Sequence, residues 1–175
     1  GLLADSYVND SPFAIGDYNP TNSNERYYGD ITLATTFEKS VNSVPIKLTA
    51  QYGLDSVLSM AARLGVGGRL KREFSTVLGA SEMSLVDLTT VYAVIWNDGI
   101  SVHPYSITKI TNAKGEILYE RNPSESFTVL SPQTVEYMTE LLANVVAAGG
   151  TGHRAAAPGV IGGKTGTSNN NRDAW

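Results

Sequence analysis

The stretch Ala157 to Trp175, "APGVIGGKTGTSNNNRDAW", holds a glycine pair followed by Lys-Thr, a pattern that invites a phosphate-binding reading. A phosphate loop of the form G-x-x-x-x-G-K-[ST] ending at Gly163-Lys164-Thr165 needs glycine five places before Gly163. That place holds Pro158, and Gly159 is one position out of register. Gly166, Thr167, Ser168 and three asparagines follow Thr165, a turn composition that cannot open a helix beneath a phosphate. Thr alternating with Gly instead suggests a short extended strand from Lys164 to Thr167. The chemistry of Lys164 therefore has to be sought in what precedes it.

Upstream, the pattern is helical. Leu33, Phe37 and Val41 recur at spacings of four, and this helix should fail near Asn42-Ser43, because Pro45 suits a first turn better than an interior. A second helix runs to about Tyr52 with Gly53 as its stop, and a third covers Asp55 to Leu64 and ends at Gly65. Gly65 to Arg72 is a basic, glycine-rich loop. Ser84-Leu85-Val86-Asp87 resembles a capping box opening a helix with Leu85, Leu88, Val91, Tyr92 and Ile95 on its apolar face. "ITKITNAKGEILYE" reads as a hairpin turning at Asn112 to Gly115. Ser131-Pro132 opens a strong helix carrying Val135, Met138, Leu141, Leu142 and Val145. The first 30 residues, rich in Asn, Asp, Pro, Ser and Tyr, read as an extended lead-in dominated by loops. There is no internal repeat. The expected class is α+β, a helix-rich domain or part of one.

Composition narrows the function classes. With 42% hydrophobic and 17% charged residues, the 175-residue chain is that of a globular protein with a core. A net charge of −4 argues against a broad basic surface, so nucleic acid is not an expected partner. No run of about 18 apolar residues and no signal-like start is present, so no membrane segment is expected in this stretch. Zero cysteines exclude disulfides and thiolate chemistry. His103 and His153 stand 50 places apart without ligand-like spacing, so no metal site and no cofactor are expected.

Two short motifs remain, Ser40-Val41-Asn42 and Lys164-Thr165-Gly166-Thr167. Each alone is weak. In this order, and with "YYGDITLATTFEKSVNSVPIKL", "LGASEMSLVDLTTVYAVIWNDGISVHPYSITKI" and "GGKTGTSNNNRDAW" around them, the chain resembles the transpeptidase domain of penicillin-binding proteins, on its bifunctional, class A branch. The motif set there is S-x-x-K, serine-x-asparagine and K-[ST]-G. The resemblance implies the helix-rich part of the penicillin-binding, serine β-lactamase-like fold, with a β-hairpin and the Lys-Thr-Gly strand. It implies a D,D-transpeptidase that cross-links peptidoglycan stem peptides ending in D-Ala-D-Ala, is acylated by β-lactams, and works outside the cytoplasmic membrane. By the same resemblance Lys164 supplies positive potential and holds the Ser40 hydroxyl, Ser40 relays a proton to the leaving amine, and Asn42 bonds the substrate amide and the catalytic lysine. Thr165 and Thr167 receive the substrate carboxylate, the Thr167 N–H serves as one oxyanion donor, and Gly166 lets the substrate approach.

The nucleophile of that motif set is not found. Only 39 residues precede Ser40, fewer than the family places between S-x-x-K and this motif. The literal match Ser106-Ile107-Thr108-Lys109 follows Ser40 and falls in an expected strand, where residues i and i+3 point to opposite faces. Residues 1–175 are therefore expected to be a partial transpeptidase domain, lacking the S-x-x-K segment and flanking sheet strands and inactive alone. An unflanked Lys164–Thr167 strand is expected to be open to self-association. The competing readings are a non-catalytic interaction or structural module with this fold, and a β-lactamase-like serine hydrolase. "NNNRDAW" and "LVDLTTVYA" resemble the class A synthases rather than the hydrolase.

Overall fold

The computed structural model describes residues 1–23, 25–68, 70–160 and 162–166. Strands β1 (Tyr7–Asp10) and β2 (Gly29–Thr32) form an antiparallel pair, with Tyr7 opposite Thr32 and Asp10 opposite Gly29. The lead-in is loop-dominated as expected, but its two ends pair as a short ribbon. Its signal is hidden because four-residue strands rich in Asn and Asp lack the β-branched alternation that marks a strand. Helices α1 (Leu33–Glu38), α2 (Ser43–Tyr52) and α3 (Leu54–Arg63) follow, then a 3₁₀ turn at Phe74–Leu78 and helix α4 (Leu85–Trp96). The hairpin β3 (Lys109–Thr111) and β4 (Ile117–Glu120), helix α5 (Pro132–Val146) and a 3₁₀ turn at His153–Ala155 complete the order. No helix among the described residues is long and apolar enough to cross a membrane.

The helix starts follow their sequence signals. Thr32, Ser84 and Ser131 each accept a bond from the backbone N–H three residues on, and Pro132 occupies the first turn of α5. Helix α2 is different. Its own N-cap residue, Asn42, makes no side-chain cap bond, and the cap comes from a distant loop. Asn22 Oδ1 accepts from Asn42 N at 2.8 Å and Ser43 N at 3.4 Å. Asn22 is itself held by Asp10, whose carboxylate has no exposed surface and accepts from Asn22 Nδ2 at 3.1 and 3.0 Å, Tyr28 N at 2.9 Å and Ser43 Oγ at 2.6 Å. A buried carboxylate so supplied with donors, at the positive end of a helix, tolerates desolvation.

Three helix-type ends share one geometry. Behind α3, Gly65 takes φ +99°, its N–H bonds Ala62 O and the next N–H bonds Ala61 O, the Schellman arrangement. The end of α1 repeats it with a serine: Ser40 N donates to Phe37 O at 3.2 Å and Val41 N to Thr36 O at 3.0 Å, with Ser40 at φ +54°. Helix α4 ends with Asp98 at φ +54° and Gly99 N bonding Val94 O. Gly99 is then pressed against α5's entry: a Cβ there would lie 2.5 Å from Leu130 O.

The core joins α4, α5 and the segment between the hairpin and α5. Val94, Ile95, Val129, Leu130 and Leu142 are buried, with Phe37 of α1 and Met60 and Leu64 around α3 packed against them. The face α4 buries includes Ile95, with Leu88, Val91 and Tyr92 half-buried, and takes in Thr90 and Val94 as well. Leu85, in the first turn, is by contrast 62% exposed. The hairpin stands off the body, with every residue of β3 and β4 exposed. In it Lys109 faces Glu120 across the strands at 3.4 Å, so this lysine is turned to its cross-strand partner.

Asp10→Ala is expected to lower stability by about 3 kcal/mol or more, since the donors on Asn22, Tyr28 and Ser43 lose their shared acceptor together; urea unfolding measures it. At the α1 end, Ser40→Gly is expected to be more stable than Ser40→Ala by about 1 kcal/mol. Both variants lose the same hydroxyl, so the difference isolates the left-handed backbone. Equal stability would show that the Ser40 conformation carries no strain.

Candidate functional site

Ser40 and Lys164, 124 residues apart, meet at the junction of α1 and the C-terminal part of the chain. Lys164 Nζ donates to Ser40 Oγ at 2.6 Å and to Thr165 O at 2.8 Å, and lies 5.9 Å from the centroid of the Phe37 ring. The Schellman turn explains why the serine is available. Residue C′ of such a turn normally is glycine, and the side chain of a residue with positive φ there leaves the helix axis instead of packing along it. A serine kept at φ +54° in place of glycine holds strain where its hydroxyl meets an amine, a combination found at functional sites.

Lys164 is half-buried, and burial pushes its pKa below the ordinary lysine value. Two oxygen acceptors and an aromatic face nonetheless surround its amine. The position is set by α5. Gly163 N donates to Leu142 O at 3.0 Å, and a Cβ on Gly162 would lie 2.8 Å from the Leu142 carbonyl carbon and 3.0 Å from Ala143 N. The glycine pair before the lysine therefore serves close passage over a helix, and no phosphate is needed to account for it.

The Lys164–Thr167 stretch is expected to lack flanking strands, and its described part has none. Residues 162–166 form no ladder with any described strand, and Gly163 N is bonded to α5 instead. A strand is defined by its partner, and both two-stranded sheets are closed pairs elsewhere in the chain. Thr165 is half-buried and its hydroxyl lies 2.8 Å from that of Thr151, while Gly166 is exposed. Thr167 and Asn169 to Asn171 lie outside the described residues.

Asn42 sits two residues beyond Ser40 with its Nδ2 donating to Thr21 O at 2.8 Å. One of its amide hydrogens is thus committed to the β1–β2 connection. The structure brings Ser40, Lys164 and Thr165 together and adds Phe37, read from the sequence only as part of a helix stripe, with Thr151 and the Asn22 cap, which carry no such signal. Thr151 carries no local signal, since its partner is 14 residues on in a glycine-rich loop. Chemically, a hydroxyl held by an amine at 2.6 Å is a short proton path, and the adjoining threonine hydroxyl beside it can donate to an anion.

Comparison with known proteins agrees with this reading of the fold. Residues 1–174 match the family model described as the penicillin binding protein transpeptidase domain. Penicillin-binding protein 1A of Rickettsia conorii is 29% identical over an alignment covering all of this chain and 26% of that protein. Penicillin-binding protein 4 of Bacillus subtilis is 33% identical, again over the whole chain and 28% of its own length. The crystal structure of penicillin-binding protein 1A from Haemophilus influenzae superposes with a TM-score of 0.84 at 26% identity, covering all of this chain and 33% of that one. The chain thus spans roughly a quarter of the curated relatives it matches. With the match running through nearly every residue, this chain belongs to the penicillin binding protein transpeptidase family, on its class A branch.

Proposed function

We propose that Ser40, Asn42 and Lys164 to Thr167 are one wall of a peptidoglycan D,D-transpeptidase centre that works by serine acyl transfer outside the cytoplasmic membrane and is blocked by β-lactams. The observation that carries this reading is the 2.6 Å bond from Lys164 Nζ to Ser40 Oγ, which joins the two motifs across 124 residues. In this reading the nucleophilic serine is supplied from outside these 175 residues. Its Oγ bonds to the carbonyl carbon of the penultimate D-Ala, the peptide C–N bond breaks, and terminal D-Ala leaves with a proton passed through Ser40. An acceptor amine on a second stem peptide then takes the acyl group and frees the serine. No metal or cofactor enters.

Each residue has a stated task. Lys164 orients the Ser40 hydroxyl and supplies positive potential to the substrate carboxylate. Thr165 and Thr167 donate to that carboxylate, and the Thr167 N–H serves as one oxyanion donor. Gly166 leaves room for the substrate backbone. Asn42 acts with the amide hydrogen and oxygen not committed to Thr21, holding the substrate amide and the lysine of S-x-x-K. A β-lactam follows the same first step, its ring amide taking the place of the D-Ala-D-Ala peptide bond.

Two measurements test this. The 175-residue chain by itself is expected to form no covalent adduct with a fluorescent penicillin. Intact-mass spectrometry checks it, and a stoichiometric mass increase mapped to Ser40 or Ser106 would show that the nucleophile had been misplaced. In the full-length protein, Lys164→Ala is expected to slow acylation by penicillin on the order of 10²- to 10³-fold, the scale of losing one preorganised electrostatic group. Stopped-flow labelling reads the rate; a wild-type rate would refute the role given to Lys164.

A further inference from the structure

We infer that Thr151 is a positioning residue for substrate carboxylate recognition, acting through the hydroxyl of Thr165; this rests on the reading of Thr165 proposed above. The Thr151 and Thr165 hydroxyls lie 2.8 Å apart, and Thr151 is held in place from both sides. Its own N–H donates to Glu38 O at 3.3 Å, at the last residue of α1, and Lys39 Nζ returns a bond to Gly149 O at 2.9 Å. Gly152 N donates to Val145 O at 2.8 Å, and the His153 ring Nδ1 lies 2.9 Å from Gly150 O, which closes the turn on the end of α5. Gly150 has no room for a side chain, since a Cβ there would press into the Asn144 and Val145 carbonyl oxygens.

These bonds form a closed circuit. Ser40 is bonded to Lys164, Lys164 is followed by Thr165, Thr165 meets Thr151, and Thr151 returns to Glu38, two residues before Ser40. A threonine in this place has a chemical use that valine lacks. When Thr151 donates its hydroxyl hydrogen to Thr165 Oγ1, the Thr165 hydrogen is released to point outward at an anion, and each bond polarises the next. Without Thr151, the Thr165 hydroxyl is free to rotate and to spend its hydrogen elsewhere.

The test uses the full-length protein, a fluorescent penicillin and its carboxyl methyl ester. Thr151→Val, nearly isosteric, is expected to slow acylation by the free acid about tenfold, the scale of one neutral hydrogen bond, and to leave the already slower ester reaction within about twofold. Thr151→Ser restores the wild-type rate with the acid. Thr165→Val and the double variant Thr151→Val/Thr165→Val react at the same rate, because the two hydroxyls act in series. Equal slowing of acid and ester, additive losses in the double variant, or a wild-type rate in Thr151→Val each overturn the inference, while leaving the transpeptidase reading standing. A wild-type protein that takes up no label sinks that reading and this inference with it. Thermal melts of each variant separate a folding defect, which slows both esters and acids, from loss of positioning.

Discussion

Asp10 is a carboxylate with no exposed surface, and its two oxygens are shared among Asn22, Tyr28 and Ser43. A charge buried this way is tolerated only while its donors stay in place, so the cost of moving any one of them is felt by all. That dependence fixes the β1–β2 ribbon to the first residue of α2, and through Asn22 it fixes the turn of Ser40, Val41 and Asn42 as well. The candidate serine is two residues from a helix whose entry is capped from outside. Its position is therefore set by the ribbon as much as by its own helix.

The other half of the site is positioned by different means. Helix α5 offers Leu142 O to the backbone before Lys164, and Gly162 allows the chain to pass at near-contact distance. Neither Ser40 nor Lys164 depends on a loop tip. One sits in a Schellman turn whose two hydrogen bonds define it, and the other on a segment fastened to a helix in the core. Sites built on rigid elements hold their geometry better than sites on free loops. Lys164 is half-buried, with two oxygen acceptors and an aromatic ring about its amine, and desolvation still pushes its pKa below the ordinary lysine value.

The helices were legible because their signals are local. Thr32, Ser84 and Ser131 cap as their residue types require, and Gly53 and Gly65 stop α2 and α3 where expected. Ser40 and Lys164 were legible only as motif members, and their contact is a tertiary fact that no spacing rule supplies. The ribbon was missed because Asp10 and Asn22 look like loop residues until burial turns them into a network. The setting of Lys164 is hidden for a related reason. Alternating Thr and Gly permits extended backbone, but a ladder needs a partner, and the partner found here is the side of α5. The apolar stripe of α4 is legible from Leu88 to Ile95, while periodicity alone does not tell that Leu85 in the first turn stays exposed.

The way residues 162 and 163 lie on α5 makes that helix a gauge for the distance between the two motifs. An α-helix turns by about 100° with each residue. Inserting or deleting one residue between Ser131 and Leu142 would swing the Leu142 carbonyl away from Gly163, or force the whole helix to rotate and lose its buried Leu141, Leu142 and Val145 face. Point changes along α5 can be absorbed by repacking, but a change of length cannot. The spacing between Ser131 and Leu142 is thus constrained by helical phase rather than by loop closure. Changes in length are better accommodated in the exposed β3–β4 hairpin, which stands outside the core.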